Sequence, residues 1–97
     1  MKSIPNVQTS LPPIKQGGKP STYADLLHTC LESNQGGFTI ELMRKRDRVM
    51  KAIEKVKSGD VMKLEDADYE TARDAIKSMT WAINHPAIIA FAEAFGL

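Results

Sequence analysis

Four of the chain's five prolines, Pro5, Pro12, Pro13 and Pro20, fall within the first 20 residues, beside Gly17 and Gly18. Each proline fixes its own φ and removes a backbone donor, so a helix is forbidden there and extended, polyproline-like backbone is favoured. Helical structure is thereby pushed into residues 21–97, where Pro86 is the one remaining proline. The sequence thus predicts two parts: a flexible Pro-rich arm over 1–20 and a small helical domain over 21–97. Ile4, Val7, Leu11 and Ile14 are spaced along the arm as anchors that a groove on a partner would accept. A chain of 97 residues is one domain in length. So small a body buries a modest share of its surface, and a partner or self-association often supplies missing stability.

Within 21–97 the apolar residues recur at helical steps. In "STYADLLHTCLE", Ser21 or Thr22 is placed to cap a helix, with Asp25 in its first turn, where a carboxylate suits the helix dipole. Tyr23, Leu26, Leu27, Cys30 and Leu31 give that helix one apolar face. Asn34, Gly36 and Gly37 supply left-handed conformations for its stop. A second helix is predicted from the Thr39 cap to about Ser58, closed by Gly59. It is the longest element, some 27–30 Å at about 1.5 Å per residue, and should be the spine for the rest. Its seam is Leu42, Val49, Ile53 and Val56, with Arg46 where the period asks for an apolar residue. "VMKL" at 61–64 alternates as a short strand does, and the stretch around Phe38 is its evident pairing partner. A third helix follows, with Asp66 as cap and Tyr69, Ala72, Ile76 and Met79 facing inward; Pro86 suits the first position of a fourth. The fold class is mainly α: three or four helices packed around a long central helix, with one short two-stranded β-ribbon and an extended N-terminal arm.

The net charge of +1 gives no global attraction to nucleic acid or membrane, but the charge is unevenly spread. Residues 39–58 carry seven bases against three acids, and residues 59–79 six acids against three bases. Arg44, Arg48, Lys51 and Lys55 step by four, three and four along one helix face. Such a row can lie along a phosphate backbone. The helix nonetheless holds no Asn or Gln to read adenine edges, and no short turn joins it to a helix-turn-helix partner. A solvated back to a packed helix accounts for the row more simply, with the acidic third helix as internal counter-charge. For Arg46, either the stem lies over the core edge while the guanidinium reaches water, or a buried ion pair fixes orientation.

No catalytic, metal or cofactor signature is present. His28 and Cys30 point in directions about 200° apart on a helix and cannot share a metal. Two His and one Cys, all distant, fall short of a closed zinc site. A Cys30–His85 nucleophilic pair is conceivable on paper, but a lone Cys on an apolar face is ordinary core filler. "LEDADYE" lacks the glycine of an EF-hand loop, and helix-dipole stabilisation already explains carboxylates in a first turn. One cysteine cannot form an internal disulfide, the N-terminus lacks an apolar leader, and no apolar run nears the roughly 20 residues of a spanning helix. These features lead one to expect a soluble protein of a reducing cytoplasm. "WAINHPAIIAFAEAF" is the most apolar stretch, and Trp81, Ile88, Ile89, Phe91 and Phe95 face too many ways for one helix to bury. Part of it, Trp81 and Ile89 in particular, is a candidate partner-binding surface.

Residues 38–95, with Leu64-Glu65-Asp66, Asp68-Tyr69, Met79, Trp81 and Phe91, resemble a class of small proteins encoded by tailed bacteriophages and prophages. In that class a helix opening on Phe-Thr precedes a Leu-Glu-Asp turn and a closing Met-x-Trp helix. The resemblance implies a phage origin and no enzymatic role, and places the chain in the bacterial cytoplasm or in the phage particle. The function expected is a non-enzymatic protein-interaction module, an accessory or regulatory factor docking on a larger phage or host protein or forming a homo-oligomer. It calls for no cofactor, small-molecule substrate or membrane. The alternative is a nucleic-acid-binding regulator that uses Arg44, Arg48, Lys51 and Lys55; a small enzyme is a distant third.

Overall fold

Thr22 opens the first helix with a reciprocal cap. Its hydroxyl accepts from the Asp25 N–H at 3.2 Å while the Asp25 carboxylate accepts from the Thr22 N–H at 3.0 Å. Both donors would otherwise lack a partner at a helix start. The structure is a computed structural model that describes residues 1–11, 21–34, 36–81 and 84–97. Helix α1 spans Tyr23–Glu32 and buries Tyr23, Leu26, Leu27, Cys30 and Leu31, the apolar face that the spacing predicts. Its stop differs from expectation. Ser33 caps it in extended backbone, and the positive φ falls later, at Gly37.

Thr39 caps α2, Ile40–Ile53, accepting from the Leu42 N–H at 3.1 Å. Val49 is fully buried, whereas the Arg48 and Lys51 side chains are 65% and 71% exposed, so the seam faces inward and the cations outward. The helix is shorter than the expected 39–58. Its 14 residues span about 21 Å. The chain beyond it is held by Asn6. The Asn6 amide donates to Val56 O at 3.5 Å, its backbone N–H to Asp60 O at 2.8 Å, and its carbonyl accepts from the Gly59 N–H at 2.9 Å. These bonds take the backbone of 56–60 away from the helical path.

The strand expected at 61–64 forms, but with another partner than the stretch around Phe38. Lys2–Pro5 is β1 and Val61–Leu64 is β2, paired antiparallel with Ile4 opposite Met62 and Lys2 opposite Leu64. Ile4, Met62 and Leu64 bury one face of this ribbon in the core, which gives two strands the cover they need to persist. Residues 1–11 are therefore not a free arm. Ile4 and Leu11 belong to the core, and Asn6, buried, also accepts from the Ala24 N–H at 2.8 Å. Gln8 bridges Thr22 in extended pairing. The rest of the expected arm, with Ile14, lies outside the described residues, which resume at Ser21.

Helix α3, Asp66–Ser78, starts one residue earlier than the Asp66 cap would give: Glu65 is the cap residue and makes no side-chain cap bond. It buries Ala72, Ala75 and Ile76, and Asp68 as well. Helix α4, Pro86–Ala94, has Pro86 in its first turn and His85 as cap, with Nδ1 accepting from the Ala87 N–H at 3.0 Å. It buries Ile88 and Phe91, and Phe95 is buried just beyond it; Tyr23 and Phe95 meet Phe91 edge-on, with centroids 5.5 and 5.4 Å from it. The protein is thus mainly α with one small β-ribbon. α2 packs against α1, α3 and β2.

Candidate functional site

Two open grooves and one charged face are the surfaces that bear on function. The first groove, about 470 Å³, lies between α1 and α2 and is lined by Leu31, Phe38, Met43, Met50, Arg44 and Arg46 among others. Arg46 is 4% exposed, so its guanidinium does not reach water as the simpler expectation had it. Nor does it form the alternative, a buried ion pair. Instead Nη1 donates to the carbonyls of Cys30, Leu31 and Ser33, at 3.2, 3.2 and 2.7 Å. These oxygens lie at the C-terminal end of α1, which has no basic residue in its own last turn. Arg46 is a cap supplied from the next helix, favoured both by hydrogen bonding and by the negative end of the dipole. The Phe38 ring covers the guanidinium at 5.3 Å, while the buried Nε finds no acceptor. Burial lowers the Arg46 pKa from its very high ordinary value. The role is structural.

The charged face holds Arg44, Arg48, Lys51 and Lys55. Lys55 falls beyond the end of α2, so three of the four share the helix. Lys51 pairs with Asp47 at 3.0 Å and Arg48 with the mostly buried Asp68 of α3 at 3.5 Å, while neighbouring Lys45 pairs with Glu41 at 3.4 Å. Among the described residues, Arg44 and Lys55 form no ion pair. Exposed pairs of this kind contribute roughly 0–1 kcal/mol each, but they divide the positive field into small dipoles.

The second groove, about 580 Å³, runs between α3 and α4 and is lined by Ile76, Met79, Trp81, Ile88, Ile89 and Leu97, with Lys77 and Glu93 as its charged members. Trp81 sits half-buried, edge-on to Phe91 at 6.4 Å, and Ile89 is 54% exposed. Of the candidate partner-binding residues, this groove brings Trp81 and Ile89 together. Val7 is 43% exposed but lines neither groove, and Ile4 and Leu11 are corrected to core positions, each being only 5% exposed within the buried apolar cluster.

Cys30 is buried, and burial pushes its thiol up to about 12, which leaves no thiolate at neutral pH for nucleophilic or redox chemistry. His28 pairs with Glu32 one turn on, and His85 is occupied as a cap. Among the described residues no three His, Cys, Asp or Glu side chains converge as a metal site would require, and no helix is long and apolar enough to cross a membrane. Sequence reasoning missed Asn6 and the capping role of Arg46. The break that Arg46 makes in the apolar seam was the signal for the latter, and Asn6 carried none. Comparison of the chain with family models, with curated proteins and with solved structures finds no match in any of the three.

Proposed function

We propose that this chain is a non-enzymatic protein-interaction module, a phage-encoded accessory or regulatory factor, that docks through the groove between α3 and α4. The observation that carries this reading is Ile89. It is a large aliphatic side chain left 54% exposed in a groove walled by Trp81, Met79 and Ile88, although Ile88 and Phe91 of the same helix are buried. An aromatic beside aliphatic walls, with charged groups at the margin, is the composition of a protein-binding patch. The resemblance of residues 38–95 to small phage proteins supports the origin. The internal pairing of Lys45, Arg48 and Lys51 weighs against the basic face as a phosphate-binding surface.

Site-specific photocrosslinking in bacterial cytosol tests the reading. A benzophenone side chain at position 89 is expected to give a discrete protein adduct, while the same group at exposed Lys57, which lines neither groove, gives none. No adduct from position 89, or the same adducts from both positions, would overturn it.

A further inference from the structure

The groove between α1 and α2 carries a second, separate site. We infer that it binds a small apolar carboxylate, with the alkyl or aryl part on Phe38, Met43 and Met50 and the carboxylate on the Nε and Nη2 edge of Arg46, beside Arg44.

The structural role of Arg46 employs one nitrogen. Among the described residues, Nη1 carries every hydrogen bond that Arg46 makes, all of them to the end of α1. Nε is buried and has no acceptor, although a buried donor without one is costly. Nε and Nη2 together form the edge on which a guanidinium takes a planar oxyanion through two parallel bonds. Arg46 lines the groove, so this spare edge belongs to a cavity of about 470 Å³, within the range of about 300–1,000 Å³ that small-molecule sites occupy. The charges around it select an anion. Glu32 is paired with His28 and Asp47 with Lys51, whereas Arg44 has no ion-pair partner among the described residues. The two acids of the lining also disfavour a doubly charged phosphate, which leaves a single carboxylate as the better fit. The floor asks for an apolar tail: Met43 is 48% exposed, and Phe38 and Met50 are half-buried beside it. Methionines give such a floor the freedom to fit chains of different shape. The Phe38 ring covers the guanidinium at 5.3 Å, so the ligand enters as that ring shifts. Gly36 and Gly37 precede it with open space around both, and Gly37 already holds a φ of 78°.

NMR titration of the whole isotope-labelled chain with decanoate, kept below the concentration at which it forms micelles, tests the site. Saturable binding is expected, with the Arg46 Nε–H resonance moving downfield as a new bond to a carboxylate requires. Decanol has the same chain and no charge. It should bind at least about tenfold more weakly and leave that resonance in place. Acetate, which lacks the chain, should not saturate. Arg44→Gln lies on the exposed side of α2, and it should weaken decanoate about threefold while the Nε–H shift at saturation is kept. Absence of saturable decanoate binding overturns the inference. So does decanol or acetate binding as tightly as decanoate, or an Arg44→Gln affinity equal to the parent's. Binding that moves Ile89 and leaves the Arg46 Nε–H unmoved would put the ligand in the other groove and overturn it as well. None of these outcomes bears on an adduct from position 89, so this site and the docking surface stand or fall separately.

Discussion

Arg46 donates to the carbonyl of Ser33 at 2.7 Å, joining the middle of α2 to the end of α1. With the bonds to Cys30 and Leu31, one guanidinium nitrogen serves three acceptors. Arg46→Met should therefore cost about 2–4 kcal/mol, because it keeps most of the volume but takes the donor from Leu31 O and Ser33 O, while Cys30 O retains the Ser33 N–H at 3.3 Å. Arg46→Lys should recover only part of this, since an ammonium on a flexible stem cannot hold the same geometry. Arg44→Met, on the exposed side, should stay within about 0.5 kcal/mol of the parent. Urea unfolding of the three variants measures the difference.

Asn6 ties the N-terminal segment to the domain by accepting from Ala24 N–H at 2.8 Å. Asn6→Leu is close in volume but leaves that buried donor without an acceptor. A loss of about 1–3 kcal/mol is expected, together with faster hydrogen exchange at the Ala24 amide. A variant with unchanged stability would mean that residues 1–11 lie on the domain without being part of it.

The helices were legible because each carries a periodic apolar face, though α2 ends before the expected Ser58 and α3 starts ahead of the expected Asp66 cap. Thr22 with Asp25, Thr39 and His85–Pro86 announce starts, and the three- and four-residue apolar steps announce the buried faces. The strand at 61–64 was legible from alternation, but its partner was not. "KSIP" has a single buried residue, Ile4, and a proline, so nothing in it marks a strand until Met62 lies opposite. Proline spacing forbids helix in the leader, as its described residues 1–11 bear out, yet it cannot say whether an extended segment lies free or against a core. Asn6 and Leu11 decide that through long-range contacts. Arg46 is of the same kind. Periodicity located it, but its acceptors lie 13 to 16 residues away, at a helix end whose position had to be known first. In the docking groove, Trp81 and Ile89 were legible as surplus apolar residues.

Cys30 offers a reporter of opening. Its folded pKa of about 12 lies above the ordinary 9.0, because burial penalises the thiolate. An acid that is harder to ionise when folded lends stability that is complete below the unfolded pKa. That contribution is lost as pH rises from about 9 towards 12. Cys30→Ala should remove this part of the alkaline decline, read as the difference in unfolding midpoint between pH 8 and pH 11. In the parent, thiol labelling by a disulfide reagent at pH 8 should accelerate with urea in step with unfolding.

The paired cations of α2 make a negative expectation for nucleic acid. With Lys51 held by Asp47 and Arg48 by Asp68, duplex DNA should show no saturable binding at low salt. An affinity that falls steeply between 50 and 200 mM salt would restore the basic face as the working surface.

Ile89 is the direct test of the docking surface, with Ile53 and Ile40 as references in the same molecule. In methyl NMR spectra with a soluble paramagnetic agent, dilute protein should show Ile89 and Ile40 broadened, with buried Ile53 sharp. Adding bacterial cytosol should protect Ile89 while Ile40 stays broadened. Ile89 and Ile40 responding alike with and without cytosol would contradict the account.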